Sequence, residues 1–253
     1  MHINRIAPFL MILLLIAGPA SAQMMTGDLS KANKLFAKGE EEKALDKYLE
    51  VLDISPTNYE ALCQVSLLYA RIGNRKDDDD TKKEYFNNAK DYAKRALNVD
   101  SNDAESNYVM SVAMGRMALI VGPRARVKAS KDIRKYAQRA LKYEPKHAGA
   151  WYVMGRWHYK VANLNFAERS AANLLFGGTP AGASNQKAIE CFEKAVKYRP
   201  DYMLNPFELA ETHRKLGNYD KAKTYYKKVV EMEPETPDDP GMQKEARDHL
   251  EDL

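Results

Sequence analysis

Two stretches near the C-terminus decide the fold. Ala188, Phe192, Ala195, Val196 and Pro200 mark one; Ala222, Tyr226, Val229, Val230 and Pro234 mark the other. Both place a small residue, an aromatic, an apolar pair and a proline at the same offsets. Positions i, i+4, i+7 and i+8 fall on one face of a helix. The small residue admits a neighbouring helix, the larger ones fill the space behind it, and the proline ends the helix. Working outward, the pattern recurs as Ala44, Tyr48, Val51, Leu52 and Pro56, and as Ile133, Ala137, Ala140, Leu141 and Pro145. A fifth copy, Ala89, Ala93, Ala96, Leu97 and Ser101, lacks the proline.

Three of the copies are preceded by a second apolar helix pattern. Trp151, Met154, Gly155 and His158 form one, Leu62, Val65, Ser66 and Tyr69 another, and Leu209, Ala210 and His213 a weaker third. Gly39, Gly73 and Gly217 fall where the two helices of a pair would turn. The chain thus resembles the tetratricopeptide repeat. The resemblance implies an all-α, right-handed solenoid of about five helix pairs, ending near residues 56, 101, 145, 200 and 234, with a polar capping helix over 240–253.

Spacing locates the insertions. Successive repeat ends are 45, 44, 55 and 34 residues apart; the usual period is about 34. The three longer intervals place their excess between first and second helices. Asp77 to Asp80 in the first insertion lack the spaced ligands and Gly turn of a calcium loop, and predict a solvated loop with a charged helix start. Gly122 and Pro123 break the second, ahead of Arg124, Arg126 and Lys128. The third, about 162–185, is expected to begin as a helix and to end in the flexible Gly-Gly-Thr-Pro-Ala-Gly of residues 177–182.

The N-terminus predicts export. His2 and Arg5 precede an apolar run over residues 9–17, Gly18 and Pro19 break it, and Ala20-Ser21-Ala22 supplies a small-x-small cleavage site before Gln23. The run is shorter than the ~20 apolar residues of a spanning helix. Residues 1–22 are therefore expected to be a cleaved signal and 23–253 a single repeat domain in the periplasm or outside the cell; the alternative is a retained N-terminal anchor. Of 253 residues, 45% are hydrophobic and 29% charged, with 13 Gly and 11 Pro, as suits a folded helical protein. A net charge of +4, with bases interleaved among acids, is unlike a nucleic-acid binder. Cys63 and Cys191 lie two repeats apart and are expected to be free, buried fillers.

No catalytic or metal pattern stands out, so no enzyme activity, cofactor or metal is expected. His158 and His213 stand where the repeat usually has Tyr and are expected to be packed, hydrogen-bonded side chains, and Glu168-Arg169 is expected to be a buried ion pair fixing the third insertion. The working surface is instead the concave groove that first helices line in such repeats. Its predicted face holds Tyr108 and Arg116 from the third repeat, Tyr152, Arg156, Tyr159 and Lys160 from the fourth, and Phe207, Arg214 and Lys215 from the fifth. Aromatics among cations suit an acidic peptide, a C-terminus, or an anionic lipid or sugar head group. The competing expectation is that the third insertion folds into the groove and uses these residues for packing. Trp151 and Trp157 are expected to be core anchors.

A longer signature sits in the fourth repeat: Trp151-Tyr152-x2-Gly155-Arg156-Trp157-x-Tyr159-x-Val161-Ala162, then Leu164, Phe166, Glu168-Arg169, Leu175-Phe176-Gly177 and Pro180. It resembles the regulator of microtubule dynamics family, over most of the chain after residue 30 and most strongly over 133–253. The basic stretch at 124–131 matches the family layout, while Phe166 stands where the family usually has tryptophan. The resemblance implies a tetratricopeptide-like scaffold; eukaryotic members are associated with microtubules and organelle membranes. Together with the export signal it implies an exported bacterial member, which would act as an adaptor for a protein or peptide partner or, alternatively, as a carrier or tether for an anionic lipid. Export would place it away from tubulin.

Overall fold

The computed structural model describes residues 19–253, with side chains from Gly27 onward. Nearly all of the predicted export signal, 1–22, lies outside the described residues. Within them every regular element is a helix: α1 Pro19–Ala37, α2 Glu41–Ile54, α3 Tyr59–Asn74, α4 Asp79–Val99, α5 Ala104–Leu119, α6 Pro123–Tyr143, α7 Ala148–Ala162, α8 Phe166–Phe176, α9 Asn185–Tyr198, α10 Leu204–Lys215, α11 Tyr219–Glu231 and α12 Asp239–Asp252. They pack as hairpins α1/α2, α3/α4, α5/α6, α7/α9 and α10/α11, with α8 laid on α6 and α12 on α11. The all-α solenoid of five helix pairs expected from the repeat is the architecture observed.

The repeat residues do the packing. Ala44, Ala89, Ala137, Ala188 and Ala222 are all fully buried, and so are the aromatics Tyr48, Phe192 and Tyr226 four residues into their copies. Each such ring contributes roughly 1.5–3 kcal/mol by leaving water. Where the second copy has Ala93 instead of an aromatic, Phe86 from earlier in α4 is buried. Gly73 makes room for it. A Cβ there would stand 2.6 Å from Tyr85 Cβ and 3.0 Å from the Phe86 ring. Gly73 therefore lies inside the last turn of α3, where the sequence reading placed it at a turn. Gly39 and Gly217 do occupy turns, with φ of +72° and +76°.

Two insertions are absorbed by lengthening helices. α4 and α6 run 21 residues each, against 14 for α2 and 13 for α11. Asp78 caps α4, accepting from the Thr81 N–H at 2.8 Å, and Asp79 and Asp80 fill its first turn. Gly122 precedes α6 with Pro123 at its first position. The third insertion makes a helix of its own. Asn165 and Glu168 close a capping box on α8, and Gly177 ends it with φ of +69°.

The solenoid also curls back on its start. The Arg75 guanidinium at the end of α3 lies 3.5 Å from the Asp238 carboxylate ahead of α12. A Cβ on Gly39 would stand 3.1 Å from the Glu235 carbonyl oxygen. Glu41, almost fully buried beneath this seam, is held by Arg71 at 2.5 Å and Arg75 at 2.6 Å.

Candidate functional site

The third insertion builds the site. α8 packs on the N-terminal half of α6 through Val127, Leu164, Ala172 and Phe176. With α5, α6 and α7 it encloses a cavity of about 530 Å³. Val112, Ile133, Val153, Trp157, Val161 and Leu164 supply its apolar wall, while Arg116, Arg126, Arg156 and Lys160 supply charge. Leu164, Asn165, Glu168 and Pro180, all from the insertion, line one side. The insertion thus walls the cavity instead of filling the groove.

The cations differ in how they are held. Arg126 donates from Nε to the Ala118 carbonyl at 2.8 Å, from Nη1 to Glu168 Oε1 at 2.9 Å and from Nη2 to the Val121 carbonyl at 3.1 Å. It clamps the end of α5 to α8. Against the cost of burial, the Asn165 N–H and Arg126 hold the Glu168 carboxyl below the ordinary carboxylate range. The expected Glu168–Arg169 pair is corrected accordingly: the partner is Arg126, and Arg169 donates instead to the Leu164 carbonyl at 2.7 Å. Neighbours in sequence point to different sides of a helix, so Glu168 turns inward and Arg169 outward.

Arg156 donates to Glu208 of α10 across a short contact, and the Tyr152 hydroxyl donates to the same oxygen at 3.4 Å. Burial and then Glu208 push the Tyr152 hydroxyl above its usual pKa. Among the described residues Arg116 donates only to the Asn74 side chain, at 2.9 Å. Lys160 is exposed, and desolvation followed by the neighbouring Arg156 lowers its pKa. Arg116 and Lys160 therefore carry the least neutralised charge at the cavity.

Of the nine predicted groove residues, the structure brings four together here: Arg116, Tyr152, Arg156 and Lys160. The other five lie outside the cavity's lining. Tyr108 packs at a tilt of 46° on His147, with centroids 4.6 Å apart, and against Gly149. Tyr159 packs on the Ala188 and Phe192 cluster, as Tyr152 also does. Phe207 is buried edge-on to Tyr226, at 6.3 Å. Arg214 donates to Glu211 at 3.1 Å and to the Tyr226 hydroxyl at 3.0 Å, and Lys215 pairs with Glu211 at 2.9 Å. The reason is helical phase. The ridge at 207, 211 and 214 of α10 faces α11 and α12, leaving Glu208 to face α7. Counting cations and aromatics alone missed Glu208, and missed Arg126 because it stands on a second helix.

The C-terminal network is structural. The Glu211 and Glu245 carboxylates and the His249 imidazole offer ligand atoms within 4.8 Å of one another. Arg214 and Lys215 already neutralise Glu211, whose pKa is held at about 2, which disfavours a cation there. His158 is packed edge-on against Trp157 at 5.0 Å as expected, but its Nδ1 has no hydrogen-bond partner among the described residues, so the expected hydrogen-bonded role is not met. The Trp157 indole donates to the Ser130 carbonyl at 2.9 Å and stacks with Arg134, so it both anchors the core and lines the cavity. Cys63 and Cys191 are free and buried.

Known proteins place this arrangement. Regulator of microtubule dynamics protein 1 of Bos taurus is 28% identical over 222 residues, 86% of this chain and 68% of that one. Regulator of microtubule dynamics protein 3 of Mus musculus is 25% identical over 188 residues, 74% of this chain. The chain spans only 40% of that second relative's length. Among solved structures, a thermophilic TPR protein of Thermus thermophilus superposes with a TM-score of 0.66 at 17% identity, over 89% of this chain and 98% of that one. That likeness is one of fold. Residues 28–253 match the family described as Regulator of microtubule dynamics protein 1-3, and the chain belongs to that family.

Proposed function

We propose that this protein is a binding scaffold, exported rather than cytoplasmic, that captures a protein partner by an acidic, apolar-flanked segment seated between α5 and α8. The carrying observation is the cavity itself, where Arg116 and Lys160 lack carboxylate partners among the described residues beside an apolar wall containing Trp157. Charge-assisted bonds to a carboxylate together with apolar contact suit such a segment. The cavity's residues offer binding groups and no nucleophile paired with a base, which favours a scaffold over a catalyst.

A second reading is favoured by the extent of the apolar wall. Val112, Val127, Ile133, Val153 and Val161 line the same cavity as the cations and would suit the hydrocarbon part of an anionic lipid.

Fluorescence anisotropy with a labelled peptide rich in Glu and Leu and bearing a free C-terminus tests the first reading. Saturable binding that falls about tenfold in the Arg116→Glu/Arg156→Glu variant is expected, at unchanged helicity. Equal binding by that variant rejects the cavity as the site. Native mass spectrometry of the purified chain tests the second: a co-purifying anionic lipid absent from the same variant supports it. Fractionation of cells expressing the full chain checks export.

A further inference from the structure

The outer side of α8 is unusual for a helix on a folded surface. Phe166 is 87% exposed and Leu174 77%. Ala167, Ser170 and Asn173 are exposed with them, while the helix's acid, Glu168, is turned inward against Arg126. Its one base, Arg169, is drawn back onto the Leu164 carbonyl. Leu119, at the end of α5 beside the same cavity, is also 47% exposed. Solvated helices rarely present so much apolar surface in one place.

Beside α8 runs a line of cations. Arg124, Lys128, Lys131 and Lys135 are spaced i, i+4, i+7 and i+11 along α6, so they share one face, and all four are exposed. No acid pairs with them among the described residues. Lys131 instead lies over the Phe176 ring, 3.6 Å from its centre, which ties the basic line to α8.

We propose that the α6–α8 face docks on an anionic lipid bilayer, with Phe166 and Leu174 entering the interfacial region and the basic line of α6 lying against the lipid phosphates. A short helix with an apolar outer face and flanking cations binds such an interface by burial of its apolar side chains plus charge attraction. Charge selects this occupant over a second copy of the chain, since an isologous pairing would bring two identical basic lines together. The proposal is independent of what the cavity binds. It would set the cavity, which Glu168 of α8 helps to line, next to the membrane surface.

The test uses a local probe, so that any attachment through the N-terminal apolar run does not mimic the result. Cys63 and Cys191 are buried, leaving a Ser170→Cys substitution in the full chain as the site for an environment-sensitive fluorophore. Vesicles of phosphatidylglycerol and phosphatidylcholine should shift its emission to the blue, and phosphatidylcholine vesicles alone should not. A Lys227→Cys label on α11 should report no shift. Adding Phe166→Ser and Leu174→Ser should weaken the response about tenfold or more, and Arg124→Glu with Lys128→Glu should weaken it and remove its salt dependence. Absence of a shift at Ser170→Cys, or an equal shift in the Phe166→Ser/Leu174→Ser chain, overturns the proposal. So does a concentration-dependent shift without vesicles that those serines abolish, which would identify self-association.

Discussion

Arg75 and Asp238 lie 3.5 Å apart, joining the end of α3 to the turn that leads into α12. The contact closes the curl of five hairpins and sets a half-exposed ion pair over a buried one, because Arg75 also holds Glu41 at 2.6 Å.

Arg75 also reaches the exposed Glu42 at 3.6 Å, and its buried partner Glu41 and half-exposed partner Asp238 should differ in consequence. Arg75→Ala leaves Glu41, 1% exposed, with Arg71 as its remaining cation, and is expected to cost about 2–3 kcal/mol. Asp238→Asn breaks only the exposed half and should cost less than about 1 kcal/mol. Urea denaturation of both variants checks this. Equal losses would mean that the seam, and not the buried Glu41, carries the stability.

Gly155 was legible as a repeat position, and its reason is steric. A Cβ there would meet the Phe192 ring at 2.6 Å, and Phe192 is fully buried between α7 and α9. Gly155→Ala is expected to destabilise by about 1–3 kcal/mol through overpacking, despite alanine's better helix propensity. A melting temperature equal to the parent's would contradict that packing.

How far the sequence carries can be stated from these elements. The alanines at 44, 89, 188 and 222 revealed the second helices because a residue fully buried between two helices must be small wherever the hairpin recurs. The insertions were locatable by subtraction, yet two of them became extra turns of α4 and α6, since length says where residues are added and not what shape they take. The site was legible only in part. Arg116, Tyr152, Arg156 and Lys160 share a cavity because they sit on adjacent first helices of similar phase. Phe207 and Arg214 turned to the cap because α10 is rotated by its own contacts with α11 and α12, which no local pattern encodes. Glu208 and Arg126 depend on which surfaces meet across separate hairpins.

The C-terminal network predicts an acid-sensitive cap. Glu211 is buried, and hydrogen bonds from Arg214, Tyr226 and Lys215 overcome the cost of that burial and hold its pKa at about 2. In the unfolded chain it would titrate near 4.3. A depressed folded pKa means the stabilisation is complete above about pH 5 and is lost as the pH falls toward 2, an effect of about 3 kcal/mol. Glu211→Gln should lose stability at neutral pH and show a shallower decline between pH 5 and 3. Thermal melts across that range decide the matter: parallel declines would assign the acid sensitivity to other carboxylates.

Glu208 offers the sharpest test of the cavity's electrostatics. Its carboxylate already receives Arg156 and the Tyr152 hydroxyl, so any anionic ligand reaching Arg156 must compete with a carboxylate supplied by the chain itself. Arg116 and Lys160 have no such partner among the described residues. Glu208→Gln keeps an acceptor of the same shape and removes the competing charge. It should raise affinity for the acidic peptide probe severalfold, on the order of 1 kcal/mol, with most of the gain vanishing at high salt. Arg156→Gln should lower affinity in the native chain and cancel the gain when combined with Glu208→Gln, since both act through one guanidinium. Anisotropy titrations of the four chains form the cycle. Additive effects of the two substitutions would show that the ligand's anionic group does not sit at Arg156, and would move the site toward Arg116 and Lys160.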